Sequence, residues 1–305
     1  MPSWHDILNE ITQSGSTFDV IRRKYLEDLS NKTGRNTILY YSGWLQKPGV
    51  NGTEVNDSDK NGFMAVIHQL DRTKGLDLIL HTPGGETAAT ESLIDYLHSM
   101  FGDDIRAIVP QLAMSAGTMI ACACKEIVMG KHSSLGPIDP QFRGTPAHGI
   151  KEEFLRAYQE IKTQTGAIDQ AKIAVWQPIL AKYPPAFVGE CEKAIDWSNE
   201  IVTECLKTVM FKGDPEAATK AETIVNELSD HSLTKSHARH LSAEKCKSLG
   251  LKIVELEADH DLQEKVLSVH HACIHTLSAT PAFKIIENQN GVAFIQIAKQ
   301  VMIQQ

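Results

Sequence analysis

Apolar positions recur along this chain with two different periods, and the switches between them outline its elements. In the first 30 residues Ile7, Ile11, Phe18, Ile21, Tyr25 and Leu29 stand at helix-like intervals, which predicts an N-terminal helical segment (1–30) packed on the body of the protein. The run Asn36-Thr-Ile-Leu-Tyr-Tyr-Ser42 reads as a strand, the polar stretch 48–61 as a loop and residues 62–70 as a helix. An alternation follows: strand 76–80, turn 82–85, helix 87–101, strand 105–109, a second turn, an apolar helix 116–124 and strand 126–129. Strands alternating with helices at this spacing predict βαβ crossovers and a largely parallel sheet, an α/β fold.

Beyond Gly130 the pattern changes. Ser133-Ser-Leu-Gly-Pro-Ile-Asp-Pro-Gln141 is rich in turn formers, and from Gly149 onward the apolar spacing is helical, with amphipathic segments expected over 151–163, 188–210 and 215–228. A short terminal strand is expected over 291–296. No internal repeat, low-complexity tract or clear linker breaks the chain, so the expected division is a core over 31–210 with a helical extension of the same domain over 211–305.

Composition narrows the function classes. The chain has 305 residues, 42% apolar and 22% charged, an ordinary globular balance with length enough for a sizeable core. Its net charge is −8 and no Lys/Arg-rich block occurs, so the electrostatic footprint of a nucleic-acid binder is missing. The N-terminal residues lack the basic and apolar regions of a signal peptide, and no run approaches a membrane span, so a cytoplasmic location is expected. Six scattered cysteines favour reduced, buried thiols, and the Cys122-Ala-Cys124 pair has no zinc-like spacing or neighbouring histidine cluster. No bound metal is expected.

The chemistry concentrates at two turns. In a parallel α/β sheet the ligand crevice lies beyond the carboxyl ends of the strands, which makes neighbours of His81-Thr-Pro-Gly-Gly-Glu86 and Ala113-Met-Ser-Ala-Gly117. Gly84 and Gly85 let backbone approach a ligand closely, and Ser115 stands at a strand-to-helix turn. Acyl transfer needs a hydroxyl nucleophile beside N–H donors aimed at the developing oxyanion, and the backbones of Gly85 and Ala116 are the natural donors. By itself a serine at a helix start is most often an N-cap.

Three motifs in order, Leu78-Ile-Leu-His-Thr-Pro-Gly-Gly-Glu86, Ile108-Val-Pro-Gln-Leu-Ala-Met-Ser-Ala-Gly-Thr118 and Ser134-Leu-Gly-Pro-Ile-Asp-Pro140, resemble the serine dehydrogenase proteinase family. That family belongs to the Clp-protease/crotonase superfamily, with signal peptide peptidase A and the archaeal membrane-associated serine proteases. The resemblance is dense over 23–197 and thinner afterwards. It implies a spiral of βαβ units with a helical C-terminal part, peptide-bond hydrolysis with Ser115 as nucleophile, and an oxyanion hole from Gly85 and Ala116. It also implies a homo-oligomer, since proteins of this fold form rings or stacks. The family name notwithstanding, no G-x-G-x-x-G follows a strand and no lysine motif for a pyridoxal cofactor occurs, so no cofactor is expected.

The base is less clearly marked. Clp peptidases carry a histidine about a strand and a loop after the nucleophile, where this chain has Gly136-Pro-Ile-Asp-Pro140 and no histidine. In the Ser-Lys branch a lysine at the start of the following helix serves instead, and Lys151 occupies the comparable place, which makes it the expected base. The bland reading of Lys151 is a solvated lysine paired with a nearby glutamate. His148 and His132 are the reserves, and Asp139 would orient a histidine if one is used or simply begin a turn. His237-Ala-Arg-His240 and the histidines of 268–275 invite a metal site, but carboxylate and spacing support is weak and structural or solvated roles are expected. Two other functions remain open: a crotonase-like acyl-CoA enzyme, which uses paired N–H donors but needs no serine at 115, and a silent Clp-fold scaffold.

Overall fold

The computed structural model describes residues 4–13, 18–142, 144–162, 166–229 and 236–298. Position 163, the expected end of one helix, parts of the expected N-terminal helical segment (1–3 and 14–17) and the last residues of the expected C-terminal extension (299–305) lie outside them. Helices α1 (Trp4–Gln13) and α2 (Phe18–Thr33) lead into strand β1 (Asn36–Ser42), and α3 (Ser58–Ile67) follows a loop. The alternation then runs β2 (Leu76–His81), α4 (Thr87–Phe101), β3 (Ile105–Val109), β4 (Leu112–Ala113), α5 (Ala116–Cys122) and β5 (Glu126–Met129). The turn-rich segment holds the short strands β6 (Ser134–Leu135), β7 (Gln141–Phe142) and β8 (Thr145–Pro146). Helices α6 (Ala147–Ile161), α7 (Gln170–Leu180), α8 (Phe187–Cys205) and α9 (Ala217–Ser229) come next. The last strands are β9 (Leu241–Ser242), β10 (Ile253–Glu255), β11 (Ala282–Asn288) and β12 (Ala293–Ile297), with the helix His260–Ala279 before β11.

Seven strands form the central sheet in the order β10-β5-β3-β2-β1-β11-β12. Strands β1, β2, β3, β5 and β10 are mutually parallel, while β11 and β12 close one edge antiparallel. Strands β1, β2, β3 and β5 are almost wholly buried, which is why they read as near-continuous apolar runs, whereas β10 at the edge is partly exposed. Alternate residues serve two cores. Ile38, Tyr40, Leu78, Leu80 and Ala107 pack with α3, α4, α5, α8 and α9. Leu39, Tyr41, Ile79, Ile108 and Val128 pack with Leu26 and Leu29 of α2 and with Val266, Val269 and Cys273 of the helix His260–Ala279.

The expected terminal strand over 291–296 is β12, but the strand between it and β1, β11, breaks the apolar pattern. Lys284, Glu287 and Asn288 are fully or almost fully buried there. Each has a distant partner: Lys284 pairs with Asp59, Glu287 with Arg22 and Arg23, and the Asn288 side chain donates to Val66 O. Polar groups enter an interior only when so satisfied, and single-sequence periodicity cannot see those partners. All six cysteines are free and buried. Among the described residues no helix is long and apolar enough to cross a membrane.

Candidate active site

The two turns at the carboxyl ends of β2 and β3 meet through backbone pairing. Thr82 N–H donates to Leu112 O and Met114 N–H to Thr82 O, which lays the strand from β2 beside β4. On the other side Val55 N–H donates to Gly84 O and Glu86 N–H to Val55 O, a parallel bridge centred on Val55 and Gly85. Neighbouring peptide groups in a strand point to opposite edges, so Gly85 N–H faces away from Val55. Glycine is required at both positions. A Cβ on Gly84, where φ is +100°, would lie 2.6 Å from Ser115 Cβ and 3.0 Å from Ala116 N, and one on Gly85 would lie 2.2 Å from Val55 O.

Ser115 is not a capping serine. Its hydroxyl makes no cap hydrogen bond to α5, and its backbone sits at φ 50°, ψ −112°, a region that L-residues other than glycine rarely occupy. Such a conformation costs about 1–3 kcal/mol and persists only where the surroundings over-determine it. Here they do: every residue of α5 is buried, Thr118 Oγ1 bonds to Ala113 O and accepts from Gly136 N–H, and Gly117 leaves no room for a Cβ against Thr82. A strained strand-to-helix turn that exposes a serine hydroxyl is the geometry of a nucleophile elbow.

Ser115, Gly84 and Gly85 line a cleft of about 810 Å³. Its walls include Met119, Ile138, Phe142 and Trp197, and its rim carries Glu54, Glu86 and the pair Glu190 and Lys193. His237 lines the same cleft. Its Nδ1 lies 2.9 Å from Oδ1 of Asp139, whose carboxylate is fully buried while the imidazole is a quarter exposed. Asp139 is fixed by its loop: Ile138 N–H donates to Leu228 O, Ser198 Oγ donates to Ile138 O, and Ala147 N–H donates to Pro140 O. The segment around His237 is a turn, so His237 and His240 do not share a helical face.

The expected bases lie elsewhere. Lys151, on α6, is half exposed, forms a 3.3 Å ion pair with Glu192 and does not line the Ser115 cleft. His148 approaches Ser229 Oγ at 3.4 Å, and exposed His132 packs near Gly130 in the loop before β6. Ser115, Gly85 and His237 thus line one cleft, with Ala116 next to Ser115 in the chain, and Lys151, His148 and His132 do not line it. Sequence reading set His237 aside as structural. The signal that could have singled it out was Asp139, a carboxylate in the third motif that needs a histidine from outside that motif.

Beneath the Thr82–Gly85 strand lies a second group of histidines. His81 is fully buried against the rings of Tyr41, Trp44 and His270, neither ring nitrogen has a hydrogen-bond partner among the described residues, and burial pushes its pKa down to about 3. His270 accepts from or donates to Tyr41 Oη at 3.1 Å and is likewise held well below the ordinary histidine value by burial. Among the described residues no group of three or more His, Cys, Asp or Glu side chains is placed to hold a metal ion.

A family model of ClpP-like SDH-type serine proteinases matches residues 20–279 of this chain. The chain is also similar to two uncharacterized proteins of Methanocaldococcus jannaschii. It is 30% identical to MJ1495 over 199 residues, 65% of this chain and 59% of that protein. It is 30% identical to MJ0137 over 236 residues, 76% of this chain and 73% of that protein. The chain thus matches only about three fifths of the length of MJ1495.

Proposed function

From the membership of this chain in the ClpP-like SDH-type serine proteinase family, we propose that it hydrolyses peptide bonds with Ser115 as nucleophile, His237 as general base and Asp139 as the group that orients the histidine. The observation that carries this reading is a single cleft lined by a strained, non-capping serine, by Gly84–Gly85 and by a histidine bonded to a buried carboxylate. A carboxylate accepts, so the His237 Nδ1 proton points to Asp139 and leaves Nε2 to take a proton.

In the proposed reaction the hydroxyl of Ser115 adds to the scissile carbonyl as His237 takes its proton. The oxyanion collects the N–H groups of Gly85 and Ala116, donors that cost no reorganisation because the Val55 bridge and the start of α5 already aim them. The tetrahedral species collapses when His237 passes its proton to the leaving amine. Water, activated by the same histidine, then hydrolyses the acyl-enzyme. Lys151 takes no part in this reading: it is half exposed, paired with Glu192 and outside the cleft that Ser115 lines. As to assembly, the homo-oligomer implied by the fold family is part of the proposal.

The test is digestion of an unstructured protein followed by mass spectrometry, with wild type, Ser115→Ala, His237→Ala and Lys151→Ala in parallel. Cleavage by wild type and Lys151→Ala but by neither of the other two is the expected result. Equal turnover by Ser115→Ala would sink the peptidase reading, and loss in Lys151→Ala with retention in His237→Ala would return the base to the lysine.

A further inference from the structure

The bridge that aims Gly85 N–H depends on where Val55 lies, and Val55 belongs to no strand of the sheet. Its neighbours are fixed by side chains. Lys284 Nζ, fully buried on β11, donates to Glu54 O at 2.8 Å and to Asp59 Oδ1 at 2.7 Å. The other oxygen of Asp59 accepts from Tyr40 Oη at 2.7 Å and from Asn56 N–H at 3.0 Å. Ser42 Oγ holds Thr53 O at 2.6 Å. The carbonyls before Val55 and the amide after it are therefore tied to one buried pair and to the end of β1.

A buried ion pair is a weak source of stability, because desolvation offsets most of its attraction and an apolar pair of the same size often does as well. What such a pair supplies that an apolar pair cannot is a directed set of hydrogen bonds. Here all of them converge on residues 54–59, the segment against which Gly85 is packed with no room for a Cβ.

We propose that Lys284 and Asp59 are positioning residues of the oxyanion site: by clamping Glu54 O and Asn56 N–H they set the register of Val55 on Gly84–Gly85, and so aim Gly85 N–H. The activity readout rests on the peptidase reading above; a backbone readout does not. A donor displaced by about 1 Å from the transition-state oxygen costs turnover rather than substrate binding. Lys284→Met should lower kcat by roughly tenfold to a hundredfold with KM within about twofold of wild type, and Lys284→Arg, which keeps charge and donors, should recover part of the loss.

The experiment compares wild type, Lys284→Met, Lys284→Met/Asp59→Asn and a control, Arg22→Met/Glu287→Gln. The double variant leaves no unpaired charge and keeps an acceptor for Tyr40 and Asn56, which protects the measurement if the single variant fails to fold. The control removes an equally buried pair, Arg22 with Glu287 at 2.5 Å, that touches nothing in residues 53–56. Amide hydrogen exchange is read at Val55 and Glu86, whose N–H groups make the bridge. Expected is exchange at both sites faster by about tenfold or more in the Lys284 variants and unchanged in the control, together with the fall in kcat. Wild-type exchange in the Lys284 variants overturns the proposal whatever their activity. So does equal acceleration in the control, and so does acceleration with kcat intact. If Ser115→Ala turns over like wild type, or wild type is inert, the peptidase reading fails by itself and exchange alone decides the clamp.

Discussion

The two sides of the cleft are built by opposite means. The nucleophile side is local and rigid: Gly84, Gly85, Ser115 and Ala116 sit on two successive βα turns, locked by backbone hydrogen bonds and by glycines that admit no Cβ. The base side is assembled from afar: Asp139 and His237 are 98 positions apart, one carboxylate buried and one imidazole a quarter exposed in a turn. In the proposed reaction the oxyanion donors thus stand on closely packed local backbone, and the base comes from a distant segment. Substitutions on the two sides should therefore fail differently.

The largest effect belongs to the nucleophile. Ser115→Ala should reduce peptide hydrolysis by a factor on the order of 10⁶, to background, because the remaining members of such a unit act only through it. Since the native backbone at this position is strained for any residue with a Cβ, alanine adds no strain of its own and the variant should melt near wild type by calorimetry. A folded, inactive protein is the expected pair of readings. Retained turnover would dissolve the distinction between the two sides altogether.

Next comes the base side. His237→Ala should lower kcat by roughly 10³-fold, and Asp139→Asn by a similar or smaller factor, while Lys151→Ala stays within about threefold. Steady-state kinetics on one peptide substrate decides this. If Lys151→Ala is the damaging change, the base side lies across α6 instead.

Gly84→Ala and Gly85→Ala probe the rigid side without replacing a reacting side chain. A methyl at 84 would meet Ser115 Cβ at 2.6 Å and Met114 O at 2.8 Å, and one at 85 would meet Val55 N at 2.3 Å, so either must move the backbone that carries the oxyanion donors. We expect kcat to fall roughly 10²-fold with KM little changed, measured against the same substrate. A change confined to KM would mean that the strip binds substrate without stabilising the transition state.

The same contrast explains what could be read from the sequence. The β1, β2, β3 and β5 runs are mostly apolar, and the glycine and serine turns are contiguous motifs, so these strands and the two turns that carry Gly85 and Ser115 were legible. The strand β11 was not, because Lys284, Glu287 and Asn288 break its pattern at buried positions. Nor was His237, which lies in a turn with no periodicity and gains meaning only from Asp139 in a different motif. Lys151 drew attention through its position along the chain, yet its side chain turns toward Glu192. Legibility ended where the proposed site depends on contacts between segments distant in sequence.

The smallest effect concerns what lies under the rigid side. His81 and His270 are buried neutral beside Tyr41, with His81 pushed down to about 3 by burial and His270 lowered by burial and by the neighbouring histidines. An unfolded histidine takes up its proton near pH 6.5. Below that pH the unfolded chain binds more protons than the folded one, so stability is fully present above about 6.5 and is lost progressively as pH falls toward 3. Each such histidine contributes a slope of at most about 1.4 kcal/mol per pH unit, a tenfold change in the folding equilibrium. His81→Phe, which keeps a ring against Tyr41 and Trp44 but cannot titrate, should flatten the acid limb of stability measured by urea unfolding between about pH 6.5 and 4. An unchanged limb in His81→Phe would mean that His81 takes its proton without opening the fold.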